Sequence, residues 1–311
     1  AFDKKLSFRI YRFQRYSNIV LTWIQRVNTI RKTIKKYNLK RVIVSGKFSI
    51  WVIPLLKLYS GIRICTVVHG SELGKTIFLN WIIFCLNKSN TIISVSNFTR
   101  SLIPKKISPL IHVINNGVSL NNWANVPYKY DLKKYPTLIT VGSITFRKGQ
   151  FNVLMALPDI IRQFPHTHYH CVGNNQNKQE LLSLAKNLNL TDKITIHGFL
   201  EHYELEQMYS ACHINMMLAD NKSTSDFEGF GISVLEANVY GLPSIGSEQT
   251  GLEDAIKNNF NGEIVDPNDS QKIVKALKQI FNNYETYSKN SKIFAKENMW
   301  ENKIRQYEKI L

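Results

Sequence analysis

Two carboxylates, Glu228 and Glu236, stand eight positions apart, and the turn Gly229-Phe230-Gly231 lies between them. They belong to the stretch 226–241, in which Ile232, Leu235 and Val239 recur at helical spacing after the turn. The first amides of such a helix have no partner within it and lie at the positive end of its dipole, so they favour a phosphate or another anion. Glycines on the approach let the backbone come close to a ligand. A carboxylate on each side of an anion site can accept hydrogen bonds from hydroxyls, and that combination suits a sugar nucleotide. A helix cap with solvated glutamates would use the same residue types, because glycine spacing alone is a weak signal.

The elements that must position this stretch follow from the pattern of apolar runs. Residues 42–44, 64–68, 92–95 and 111–114 read as strands, with helices near 50–59, 76–87 and 96–102 between them. A longer amphipathic helix over 18–37 carries Val20, Trp23, Ile24, Val27, Ile30 and Ile34 as its apolar stripe. Asn115-Asn116-Gly117 is a turn signal that closes this half. The rhythm restarts at 138–141, with further strands at 168–172, 194–196, 214–218, 243–245 and 263–265. Helices are expected from Gly149 to about Phe164, then over 179–188, 204–211, 232–240, 252–257 and 270–284. The fold class is therefore α/β, with two Rossmann-like doubly wound domains. The expected boundaries are 1–120, a linker at 121–136, a second domain at 137–286, and a last helix at 287–311 packing back on the body through Met299 and Trp300. In open parallel sheets ligands bind outside the carboxyl ends of the strands. The loops at 142–149, 173–177, 198–199, 220–231 and 247–251 all fall on that rim.

With 311 residues, 44% hydrophobic and 20% charged, the composition is that of a water-soluble globular chain of about two domains. The longest apolar run, 81–86, is far short of the roughly 18 residues of a membrane span. The cysteines Cys65, Cys85, Cys171 and Cys212 are scattered among apolar residues without a Cys-x-x-Cys pair, the pattern of reduced, buried thiols. Charge is lopsided. Residues 1–130 hold 21 Lys and Arg against Asp3 and Glu72, or +19; residues 131–311 hold 19 against 21 acids, or −2; together they make the +17 of the chain. A basic half beside a neutral one points to an extended anionic partner, either a membrane surface or nucleic acid. No aromatic–basic nucleic-acid module is recognisable in the densest stretch, 3–41.

Taken in order, Val67-Val68-His69-Gly70-Ser71-Glu72, Ser94-Val95-Ser96, Asn115-Asn116-Gly117-Val118, Arg147-Lys148-Gly149, the two glutamates and Asn261-Gly262-Glu263-Ile264-Val265 resemble the retaining GT-B glycosyltransferases of family four. The resemblance runs from about residue 40 to near the end. It implies that the two domains face each other across a cleft. It also implies that Glu228 contacts the donor sugar, Glu236 holds the ribose, and the amides of Gly229, Phe230 and Gly231 face the diphosphate. Arg147 and Lys148 would neutralise that diphosphate, and His69 would stand near the anomeric carbon without acting as a covalent nucleophile. Gly142, Gly198 and Phe199 complete the expected nucleotide contacts. There are two departures. Ser143 stands where the family often has arginine, and the family's first strand, glycine-rich loop and helix should precede residue 1, so the chain reads as truncated at its start.

The expected function is transfer of a hexose or N-acetylhexosamine from a UDP- or GDP-sugar to a lipid-linked or glycan acceptor. No Asp-x-Asp pair lies beside the site, so neither a metal nor another cofactor is expected. The basic half would rest on the anionic inner face of the cell membrane, making the enzyme cytoplasmic and peripheral, with no nucleic acid partner. Two alternatives stay open on sequence: a soluble sugar-nucleotide epimerase or synthase, and a non-catalytic binding or partner subunit on the same fold.

Overall fold

The computed structural model describes residues 8–13, 17–58, 61–74, 78–119, 131–220 and 227–311. Lys4, Lys5, Arg15, Asp226 and most of the expected linker lie outside these. The first half begins with α1 (Ile19–Tyr37), capped by Asn18, whose side chain accepts from the Val20 amide at 2.8 Å. There follow β1 (Arg41–Ser45), α2 (Lys47–Ile50), α3 (Ile53–Leu56), β2 (Arg63–Val68), α4 (Leu79–Asn87), β3 (Thr91–Ser94), α5 (Asn97–Leu102) and β4 (Leu110–Val113). The four strands are parallel in the order β1-β2-β3-β4. Ile34, Val44, Ile64, Ile82, Leu86 and Ile92 form the core beneath the helices.

The second half holds β5 (Thr137–Val141), α6 (Gln150–Gln163), β6 (His168–Val172), α7 (Lys178–Asn187), β7 (Ile194–Gly198), α8 (His202–Ala211), β8 (Ile214–Met217), α9 (Ile232–Val239), β9 (Ser244–Ser247), β10 (Gly262–Val265), α10 (Ser270–Asn282), α11 (Tyr284–Glu297) and α12 (Trp300–Ile310). Its six parallel strands run β10-β9-β8-β5-β6-β7. The order reverses between β5 and β8, and that reversal opens a crevice at their carboxyl ends. Both halves are thus parallel α/β layers; the second is doubly wound as expected, whereas the described strands of the first run in sequence order without a reversal. A third core crosses between them, in which Cys65, Val67 and Ile93 pack with Met217, Phe230, Leu252 and Phe294.

The ten expected strands all form within two residues of their predicted ends, because β2, β3 and β8 are nearly continuous buried runs. Three helices differ from expectation. The one predicted over 50–59 is two short pieces, α2 and α3, and the break puts Pro54 in the first turn of α3, where a missing amide is harmless. The one predicted over 252–257 is a single 3₁₀ turn, Gly251–Asp254. There the Asn261 side chain takes the Lys257 amide at 2.7 Å and Asn258 takes that of Ile264 at 2.6 Å, so the chain turns away from a helix. The last helix, predicted over 287–311, is two: α11 starts at Tyr284, and Met299 is extended before α12. The amide of Val118 donates to the Asn298 carbonyl and that of Trp300 to the Val118 carbonyl, both at 3.0 Å, so the break pins the chain end to the first domain. Among the described residues, no helix is long and apolar enough to cross a membrane.

All four cysteines are buried and unpaired, and burial pushes the Cys65 thiol up to about 11. Buried histidines are displaced the other way. His213 accepts the Thr137 amide on Nδ1 at 3.0 Å and donates from Nε2 to the Asp131 carbonyl at 3.1 Å, a pairing that only the neutral ring can make. Burial holds its pKa at about 4, and that of His170, beside His168 and His197, also at about 4. An unfolded histidine titrates near 6.5, so between about 6.5 and 4 the unfolded chain binds more protons and stability falls as pH drops. Urea denaturation at pH 7 and pH 5 is expected to show this loss. His213→Asn, which keeps an acceptor for the Thr137 amide, should be less destabilised by the same acidification.

Candidate active site

The reversal between β5 and β8 explains why distant parts of the sequence meet. The loop leaving β5 ends in a 3₁₀ turn, Phe146–Lys148, that presents Arg147 and Lys148. Gly149, at φ +83°, then passes so close to the Leu218 carbonyl that any Cβ would overlap it. The turn is therefore seated against the end of β8. Gln150, fully buried, donates from Nε2 to the carbonyls of Gly142 and Ser143, both at 3.2 Å, and so fixes the loop from below. Phe146 stacks on Phe151 with ring centroids 4.3 Å apart.

The loop leaving β8 returns with Glu228. One carboxylate oxygen, Oε2, takes both cations: Arg147 Nη1 at 2.6 Å and Lys148 Nζ at 2.8 Å. The Glu228 side chain is only 7% exposed, whereas Arg147 and Lys148 are 24% and 18% exposed and keep faces toward the cleft. Phe230 is buried as a core residue, and Gly231 caps α9, whose first turn lines the cavity.

The first domain supplies the opposite wall. His69 follows β2, and its Nε2 lies 2.8 Å from Ser45 Oγ at the end of β1. The amides of His69 and Gly70 both donate to Glu72 Oε2 at 3.0 Å, and this buried carboxylate thereby shapes the turn behind the imidazole. The two walls touch directly. A Cβ on Gly229 would strike the His69 carbonyl, and Thr99 Oγ1 donates to the Gly229 carbonyl at 3.3 Å. The Asn97 amide and side chain donate to the Asp254 carboxylate at 2.8 and 2.7 Å. Gly229 thus makes room for the other domain's backbone, a close approach different from the expected one to a ligand alone.

Between the walls is a cavity of about 410 Å³ lined by His69, Ser71, Asn116, Arg147, Lys148, and the run from Phe227 to Ser233. Two cations and one carboxylate leave a single positive charge, and the start of α9 adds about half a charge more. The cavity is therefore built for an anion with apolar and hydroxyl-bearing neighbours. Of the expected residues, His69, Arg147, Lys148, Glu228, Gly229, Phe230 and Gly231 line it together. Glu236, one turn further along α9, accepts from the Tyr209 hydroxyl at 3.2 Å, and burial raises its pKa above the usual glutamate value. Gly142 and Gly198 end β5 and β7 on the same rim, outside the cavity lining; the ring of Phe199 beside them is 74% exposed. Sequence reasoning gave no site role to Ser45, nor to Ser71, Glu72 and Asn116, which it quoted only within their motifs. Ser45 did carry a signal, since it closes a strand at its carboxyl end.

Residues 127–297 match the family of glycosyl transferases group 1, and residues 5–122 match glycosyltransferase family 4. The chain belongs to the family 4 glycosyltransferases. Its two parallel-sheet domains are those of the GT-B fold. This transferase is 23% identical over 295 residues to a GDP-mannose-dependent alpha-(1-6)-phosphatidylinositol monomannoside mannosyltransferase of Mycobacterium tuberculosis (strain CDC 1551 / Oshkosh), covering 90% of this chain and 77% of that protein. Among solved structures, sucrose-phosphate synthase from Thermosynechococcus elongatus matches at a TM-score of 0.75 and 18% identity, over 96% of this chain and 79% of that one. Anabaena Alr3699/HepE in complex with UDP and glucose matches at 0.75 and 17%, over 91% and 80%.

In the transferase Glu228 competes with any incoming anion for Arg147 and Lys148. Glu228→Gln raises the charge of the cavity from one to two positive. Isothermal titration should then show tighter binding of a nucleoside diphosphate, by roughly 3 kcal/mol or on the order of a hundredfold for unit charges ~6 Å apart at an effective dielectric near 20, while sugar transfer falls.

Proposed function

We propose that the transferase moves a hexose or N-acetylhexosamine, with retention, from a UDP- or GDP-sugar to a glycan or lipid acceptor at the inner face of a membrane. The observation that carries this reading is the positive cavity closed by Glu228, Arg147, Lys148 and the start of α9. A departing nucleoside diphosphate gathers negative charge, and fixed cations with unpaired helix amides stabilise it without reorganising. In this reading Arg147, Lys148 and the Gly229, Phe230 and Gly231 amides hold the diphosphate, which needs no metal ion. As the phosphates draw the two cations away, Glu228 becomes free to accept a hydroxyl of the donor sugar. Glu236 accepts from the ribose, and Gly142, Gly198 and Phe199 border the nucleoside.

His69 stands across the cleft, held by Ser45, where a sugar on the diphosphate would present its anomeric carbon. Retention belongs to the same reading through the resemblance of the two-glutamate stretch to retaining enzymes. The +19 of residues 1–130 supports an acceptor presented on an anionic surface. The mycobacterial relative is by its name GDP-mannose-dependent and the Anabaena structure holds UDP, so both bases stay in the proposal.

A thermal-shift panel of UDP- and GDP-sugars tests the donor, since stabilisation follows the ratio of ligand to dissociation constant. Indifference to every nucleotide sugar would remove the reading, and an inverted anomeric centre in the product, read by proton NMR, would remove retention. Glu236 gives a sharper check. Its ionised form accepts from the ribose and its pKa is raised, so nucleotide affinity should be complete well above the usual glutamate range and weaken as pH falls through that raised value. Glu236→Gln is expected to bind about tenfold more weakly, as for loss of a hydrogen bond to a charged group, and to lack that component of the pH dependence.

A further inference from the structure

The outer face of α4 reverses the usual pattern of a surface helix. Ile82, Ile83, Cys85 and Leu86 are buried against the sheet, as expected for the inner stripe. The outward stripe, normally polar, consists of Trp81, Phe84 and Lys88. Trp81 and Phe84 are 43% and 44% exposed, their rings stack at 5.2 Å, and Lys88 Nζ lies 5.3 Å from the Phe84 centroid. Phe78, 45% exposed, extends the stripe toward the cleft, and Trp51 bridges it, with ring centroids 5.1 Å from Phe78 and 6.1 Å from Phe48, which is 54% exposed. In a parallel sheet the helices start at the carboxyl ends of the strands. The Phe48, Phe78 and Trp81 end therefore lies on the side of His69, and the Ser71–Leu73 turn behind His69 packs on α4.

Charge around the stripe has one sign. Within residues 8–119 the single described carboxylate is that of Glu72, which is 1% exposed and turned inward onto the His69 and Gly70 amides. Lys105 and Lys106 are exposed near the end of α4, where the Lys106 carbonyl and Ser108 amide bond the Asn87 side chain. On the other side Lys57 reaches Asn90. Aromatic rings with cations and no facing carboxylate match the interfacial zone of an anionic bilayer, where indole and phenyl rings sit at headgroup depth and lysines meet the lipid charge. Bases of a single-stranded nucleic acid also stack on aromatic rings. Trp81 and Phe84, however, stack on each other, so one face of each ring is already taken, and both rings stay exposed beside Lys88 as interfacial side chains do.

We infer that the outer face of α4, with Phe48 and Phe78, docks on an anionic phospholipid bilayer by inserting Trp81 and Phe84 beside the cleft. This rests on the proposed membrane-presented acceptor and names the surface that meets the lipid. Apolar insertion and charge act together here, since either alone gives weak, reversible attachment.

The test is sedimentation of the full chain with vesicles of phosphatidylcholine alone or with 30% phosphatidylglycerol, in about 0.1 M salt. Binding to the anionic vesicles only is expected, with at least a tenfold loss in Trp81→Ala/Phe84→Ala and in Lys105→Glu/Lys106→Glu. Brominated lipid should quench part of the tryptophan fluorescence, and Trp81→Phe should lack that part. Equal binding by the aromatic double variant and the parent would overturn the inference. So would equal binding to neutral vesicles, or an oligonucleotide whose binding, rather than that of vesicles, depends on Trp81 and Phe84. Thermal shifts with UDP- and GDP-sugars on the same variants keep the two readings apart. Donor shifts without vesicle binding remove only the docking surface, and vesicle binding without donor shifts removes only the donor reading.

Discussion

The site depends on one crowded carboxylate. Glu228 Oε2 holds Arg147 and Lys148 within 2.8 Å, and those residues come from loops that leave neighbouring strands of a sheet whose order reverses between them. A buried carboxylate is costly unless paired, and two cations packed together repel unless a carboxylate lies between them. Each partner therefore makes the other tolerable. The backbone agrees with this arrangement: Gly149 sits against the end of β8, and Gly229 sits against the carbonyl of His69. The same few atoms thus join the two loops of the second domain and meet the first domain.

The halves divide the chemistry by charge and shape. The second domain, close to neutral overall, brings Arg147 and Lys148 together at one cavity. Glu236, one turn further along α9, has its pKa raised by burial and lies close enough to Lys148 to feel its charge. The first domain carries a large excess of cations and turns its only described carboxylate inward. Its contribution to the cleft is a histidine held by Ser45 and a turn shaped by Glu72, while its outside carries aromatic rings. Donor chemistry and acceptor delivery, as proposed, are then handled by surfaces of different physical character, joined through the Asn97 and Asp254 contact and the return of the chain at Met299.

Much of this was legible beforehand because parallel strands buried on both faces leave short apolar runs, and those runs located all ten strands. The glycine turn with its two acids, together with Arg147 and Lys148, marked the second-domain half of the cavity. The helix expected over 252–257 does not form because the Asn261 side chain takes the Lys257 amide that the helix would have used, and amphipathic spacing does not report that competition. The chain end was read as one helix because nothing local announces that Val118 will pair with Met299.

By itself the sequence determined the two parallel α/β domains, the uneven charge and the residue types for binding an anion between hydroxyl acceptors, since these follow from periodicity, composition and short-range spacing. Only the tertiary structure decided that Arg147 and Lys148 share one oxygen of Glu228, that Ser45 holds His69, and that Trp81 and Phe84 face outward while Ile82 and Ile83 face in. Those outcomes depend on strand order and on which face of a helix is covered. Both are settled by packing between segments up to a hundred or more residues apart, as when Asn97 meets Asp254.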